Sequence, residues 1–168
     1  GTRFVEYFFE QTSAAGHLRL KIGKQDANAD FVVTESTGDF LNSSFGLVPT
    51  VPIPTFPAPA LGLMAGWQVS ERTEIKAGIW DGSSELGSDC LDTAFDGVGG
   101  TVSALEIEGR LFGGNILPAS LKFGVWHHSE VETFAKMSRT GSAAGAYLAY
   151  DQNLWQGRQR WVDVFYQG

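Results

Sequence analysis

The chain has 168 residues and a formal net charge of −7 from 12 Lys+Arg against 19 Asp+Glu, with a pI near 4.8. That balance excludes a polyphosphate-binding surface, which needs clustered cations. Only 18% of residues are charged while 43% are hydrophobic and 12% aromatic, yet mean hydropathy is −0.07, too polar for a bundle of membrane helices. The 21 glycines and the aromatic content favour strands and turns. Cys90 is the single cysteine, so an intramolecular disulfide framework and a cysteine-only zinc site are excluded.

Period-2 alternation marks eight segments as strands with one apolar face. In 3–11, Val5, Tyr7 and Phe9 oppose Glu6, Phe8 and Glu10; in 17–24, Leu18, Leu20 and Ile22 oppose Arg19 and Lys21. The stretch 40–70 is free of Asp, Glu, Lys, Arg and His, but five of the six prolines fall in it. Proline removes helix hydrogen bonds and extends the backbone, so no transmembrane helix is expected there. The third segment sets Leu61, Leu63, Ala65 and Trp67 against Gly62, Met64, Gly66 and Gln68. In 73–80, Ile75, Ala77 and Ile79 oppose Glu74, Lys76 and Trp80. The clearest segment, 103–112, alternates Leu105, Ile107 and Leu111 with Glu106, Glu108 and Arg110. In 120–128, Leu121, Phe123 and Val125 oppose Lys122, Gly124 and Trp126. Ala146, Leu148 and Tyr150 mark the seventh strand, and Val162, Val164 and Tyr166 against Trp161, Asp163 and Phe165 mark the eighth.

The links alternate strictly between short (12–16, 70–72, 113–119, 153–159) and long (26–59, 81–102, 129–145). Outer-membrane barrels have that rhythm, because periplasmic turns are tight and extracellular loops are long. A soluble barrel puts its apolar face inside; a transmembrane barrel puts it against lipid and rings a wet lumen with charge. Alternation fits both. The link rhythm and the aromatics Trp67, Tyr147, Trp155 and Tyr166, read as strand-end anchors, favour the membrane version.

Four blocks in order then resemble the carbohydrate-selective porins of Gram-negative outer membranes, the OprB type. They are LRLKIGKQDANADF at 18–31, DFLNSSFG at 39–46 with PT at 49–50 and PAPALG at 57–62, AGIWDG at 77–82, and GAYLAYDQNLW at 145–155. The resemblance implies an antiparallel β-barrel of about sixteen strands that passes mono- and small oligosaccharides by diffusion. Such proteins are roughly twice this length, and half a barrel leaves edges that lipid does not tolerate. The chain therefore reads as one partial barrel domain, 1–168, from a longer porin, an expectation that fits a strand pattern already running near Gly1. The alternative is a small self-closed or soluble barrel that binds sugar or lipid without transport.

A sugar channel needs charged or amide groups for hydroxyls and rings for the C–H faces. The expected lumen face supplies the cations Arg19, Lys21, Lys76, Arg110 and Lys122, the anions Glu74, Glu106, Glu108 and Asp163, and the platforms Trp80, Trp126 and Trp161. Arg19, Lys21 and Arg110 are the first candidates for the constriction. The loop 26–59 is too apolar to extend into water, so it is expected to fold inward and narrow the pore, with Asn42, Ser43, Ser44 and Phe45 presented to sugar. The expected partners are glucose-like sugars and outer-membrane lipid, not nucleic acid, with a homotrimer as a candidate assembly. No cofactor is expected: His127, His128, Glu130 and Glu132 lack metal-site spacing, Asp89, Asp92 and Asp96 lack calcium-loop spacing, and 97–100 is no dinucleotide fingerprint. No nucleophile elbow appears, and an enzyme is not expected.

Overall fold

The computed structural model describes residues 4–39, 46, 48, 50–82, 99–113, 116–132, 140–157 and 160–168. Eight antiparallel strands form one sheet in strict chain order: β1 (Tyr7–Thr12), β2 (Leu18–Gln25), β3 (Ala60–Ser70), β4 (Thr73–Asp81), β5 (Thr101–Gly113), β6 (Ile116–Glu132), β7 (Thr140–Gln156) and β8 (Trp161–Gln167). Each strand pairs with its sequence neighbour, and among the described residues the sheet does not close β8 onto β1. Because neighbouring strands are antiparallel, the tight turns after β1 and β3 lie at one end of the sheet and the connection 26–59 at the other. Among the described residues no helix is long and apolar enough to cross a membrane; the crossing is made by strands.

The faces settle which kind of barrel wall this is. On β5, Ile107 is 45% and Leu111 55% exposed, whereas Glu106 is fully buried. Leu20 and Ile22 on β2, Leu63 and Trp67 on β3, and Phe123 and Val125 on β6 likewise lie on the exposed face. Lys21, Lys76, Glu108 and Lys122 are buried on the other. Water would drive such a sheet to aggregate through an apolar face of this extent. In a bilayer the same face is solvated, and the amides between neighbouring strands are paired along the wall.

Three expectations need correction. The link 129–145 is not a long loop: β6 and β7 keep pairing to Glu132 opposite Thr140. A register shift between His128 and Val131 interrupts the alternation there, and near the wall's end neither face needs to be apolar. The link 113–119 is likewise shorter, since Gly113 pairs with Ile116. Tyr147 is not a strand-end anchor; it sits mid-strand on the inner face, 2% exposed.

A small apolar core fills part of the inside of the wall. Phe31, Val32, Val51 and Ile53 from the connection 26–59 pack with Met64, Trp80, Val102, Ala104 and Tyr147 of the strands. Phe31 stands edge-on to Trp80, with ring centroids 5.3 Å apart and planes at 89°. The indole lies flat over Gly62 and Gly78, where any Cβ would overlap it.

Candidate functional site

Register builds a charge ladder on the inner wall. Lys76 faces Glu106 across β4–β5, and Glu108 faces Lys122 across β5–β6. The Lys76 ammonium is 2.6 Å from Glu106 Oε1, and Lys122 Nζ is 3.7 Å from Glu108 Oε2. Glu74 stands directly opposite Glu108, a like-charge pair that is unfavourable alone. Arg110 resolves it, donating from Nε to Glu108 at 2.7 Å and from Nη2 to Glu74 at 3.0 Å. Nearer β1, Arg19 and Lys21 share the Asp30 carboxylate, with Lys21 Nζ 3.0 Å from Oδ2.

The loop is tied to this ladder by its backbone. Asp26 gathers the loop's two ends: its carboxylate accepts from the Asn28 amide at 2.9 Å, the Phe56 amide at 3.1 Å and the Thr55 hydroxyl at 3.3 Å. A 3-10 turn at Ala27–Ala29 follows, and the chain then runs along the inside of the wall. Lys76 donates to the Asp30 carbonyl and Lys122 to the Val33 carbonyl. Glu106 accepts from the Val32 amide and from the Tyr147 hydroxyl, both at 2.8 Å. Val32 has φ 66°, a left-handed conformation that costs a β-branched residue about 1–3 kcal/mol and persists only where its surroundings impose it. Further on, Ser36 donates from its amide (2.8 Å) and its hydroxyl to Asp151. Gln167 reaches back from β8 to the Val32 carbonyl and the Thr34 hydroxyl.

The candidate residues therefore divide. Lys21, Lys76, Lys122, Glu106 and Glu108 are buried and hold the loop and one another. Arg19 and Arg110 stay open, at 32% and 41% side-chain exposure. Trp80 is on the expected inner face but is fully buried, so it offers no ring to a solute. Trp126 is half-buried against the apolar core. Asn42, Ser43, Ser44 and Phe45 lie outside the described residues, as do Asp89, Asp92 and Asp96. His127 and His128 project to opposite faces, and the His128 ring bonds the Gly99 carbonyl at 3.0 Å.

A cavity of about 310 Å³ opens below the loop, between it and the short-turn end of the wall, lined by Glu35, Arg110, Ser120, Asp151, Asn153 and Asp163 among others. That size is at the lower end of small-molecule sites. Asn153 donates to Asp163 at 2.7 Å. On β8, Trp161, Asp163 and Phe165 share the face of Gln167, which points inward to the loop. Asp30, Ser36, Tyr147, Asp151, Asn153 and Gln167 were not among the expected site residues. Asp30 lies within the 18–31 block, but no spacing in the chain distinguishes it from a solvated loop acid.

Comparisons with known proteins agree with this wall. The profile described as carbohydrate-selective porin, OprB family, matches residues 1–166. A solved structure, titled as the high-pH structure of Pseudomonas putida OprB, superposes with a TM-score of 0.67 at 16% identity, over 91% of this chain and 41% of that one. The chain thus spans about two-fifths of that structure's length. No curated protein sequence matches it. With nearly its whole length matched by the profile and its apolar face turned outward, the chain belongs to the OprB family of carbohydrate-selective porins of the Gram-negative outer membrane.

Proposed function

We propose that the porin containing this wall passes glucose-like monosaccharides and small oligosaccharides by passive diffusion, with the loop 26–59 as its constriction. In this reading residues 1–168 are one partial barrel domain, its outward face meets outer-membrane lipid, and three copies assemble side by side. The observation that carries it is the loop pinned inside a wall whose ionic side chains face inward: Val32, Asp30 and Val33 are bonded to Glu106, Lys76 and Lys122. A segment held there narrows the lumen, and solutes must pass the open side chains beneath it.

Arg110, Ser120 and Asn153 supply donors and acceptors for sugar hydroxyls, while Trp161 and Phe165 supply rings for the C–H faces. Arg19 provides a second open guanidinium beside Asp30. The buried members of the ladder position the loop and do not touch sugar. OprB is a channel family and not an enzyme family, which agrees with a site built for passage.

The test is single-channel conductance of the full-length porin in planar bilayers, with and without glucose or a maltodextrin. Conductance that sugar blocks in a concentration-dependent way, with block weakened several-fold in Arg110→Ala, is the expected result. A channel indifferent to sugar overturns the reading; native mass in detergent tests the trimer.

A further inference from the structure

We infer that Phe8 is a stacking platform for pyranose rings, seated on β1 beside the Arg19–Glu10 pair, and that it makes the channel bind cyclic sugars more tightly than open-chain polyols of the same size. The inference rests on the sugar-channel reading above and adds the shape of solute that the wall recognises.

A phenylalanine is unexpected on the ionic side of this wall. Register sets Phe8 opposite Gly23 and Glu10 opposite Lys21, so Phe8 shares the inner face with Glu10, Lys21 and Arg19. The inner rings of Phe31, Trp80 and Tyr147 are buried in the apolar core. Phe8 lies outside that core and is 47% exposed.

Two contacts fix its place. The Lys21 ammonium lies over the ring, 4.2 Å from the centroid, and is itself held 3.0 Å from Asp30 Oδ2. A cation–ring contact is strongest where the cation is desolvated, and Lys21 is buried. Opposite, Gly23 has φ 136° and lets β2 close on β1: a Cβ there would come within 2.6 Å of the Phe8 Cα. The ring is thus ordered before a solute arrives, which lowers the entropic cost of binding. One face is taken by the ammonium, and the other is left for a solute.

Groups for hydroxyls stand beside it. Glu10 is two residues along β1 on the same face, about 7 Å away, and its carboxylate is 3.8 Å from the Arg19 guanidinium. Both side chains stay open, at 36% and 32% exposure. A glucopyranose carries axial C–H groups on its faces and hydroxyls around its rim. Laid on Phe8, it turns that rim toward Glu10 and Arg19. An open-chain polyol such as sorbitol has similar hydroxyls but no flat C–H face, so it engages the polar pair without the ring.

The experiment is block of single-channel current through the full-length porin by glucose and by sorbitol, in the wild type and in Phe8→Ala, Phe8→Leu and Phe8→Tyr. In the wild type glucose should block at lower concentration than sorbitol. Phe8→Ala and Phe8→Leu should raise the half-blocking glucose concentration about fivefold and change that of sorbitol less than about twofold, while Phe8→Tyr, which keeps the ring, restores glucose block. Unchanged glucose block in Phe8→Ala overturns the inference and leaves the sugar channel standing. An equal loss of glucose and sorbitol block also overturns it, because Phe8 would then only cover Lys21. A wild-type channel that glucose does not block overturns the channel reading, and the inference with it. Should Phe8→Ala not assemble, Phe8→Leu, closer in volume to the native residue, decides between the same outcomes.

Discussion

Replacing Glu106 with alanine isolates what holds the loop. The carboxylate is fully buried and joins three elements: Lys76 on β4 at 2.6 Å, Tyr147 on β7 at 2.8 Å and the Val32 amide of the loop at 2.8 Å. Breaking a buried ion pair from one side costs about 3–5 kcal/mol, chiefly because the remaining charge is stranded. Each orphaned donor, the Val32 amide and the Tyr147 hydroxyl, adds about 1–3 kcal/mol while it stays dry. The left-handed backbone at Val32 also loses its clamp. Most of this cost falls on the loop-docked state and little on the wall, because lifting the loop lets water reach Lys76 while the strand pairing of β4 to β5 is untouched. Glu106→Ala should therefore open the channel without unfolding the barrel: single-channel conductance rises, sugar block weakens, and the heat needed to unfold the barrel in SDS changes little. Glu106→Gln, which keeps an acceptor for Val32 or Tyr147, should fall between. An alanine variant with wild-type conductance and sugar block would refute the clamp, and one that fails to assemble would make Glu106 part of the wall itself.

Other outcomes follow from the same geometry. In Gly124→Ala the new methyl would overlap the Tyr147 ring; overpacking of this kind costs about 1–3 kcal/mol, so Tyr147 should be pushed off Glu106 and conductance should shift in the direction of Glu106→Ala, as single-channel recording will read. Asp26→Ala removes the acceptor for Asn28, Thr55 and Phe56; a loss of about 0.5–2 kcal/mol, as for a helix cap, should make the loop 26–59 more sensitive to limited proteolysis while the strands stay protected. Ile107→Lys, mid-wall between Ile75 and Phe123 on the exposed face, should lower folding into vesicles by about 2–4 kcal/mol. An unchanged yield of folded Ile107→Lys would mean that this face does not meet hydrocarbon.

Alternation along one strand decides which side of the pleat each residue takes, and the pleat is local. That is why Leu105, Glu106, Ile107 and Glu108 could be assigned to opposite faces from the chain alone; which of the two faces meets lipid was legible from the link rhythm and the family resemblance, because alternation fits a soluble barrel equally. Strand ends were less so. The register shift at His128/Val131 breaks the parity that the reading relies on, and a second one between Asn153 and Trp155 leaves Asn153 with Asp163 on the inner face while Trp155 pairs with the outward Val162. Parity correctly placed Trp80 inside, but only Phe31 packed on it shows that the inside is covered at that point. The loop's destination depends on partners that no spacing encodes: Val32 with Glu106 is a contact across 74 residues and Ser36 with Asp151 across 115. Short-range periodicity, set by backbone geometry, determined the barrel wall and its two faces; which charges are spent on the loop and which stay open to a solute was decided only when distant strands curved into one sheet and brought their inner faces together.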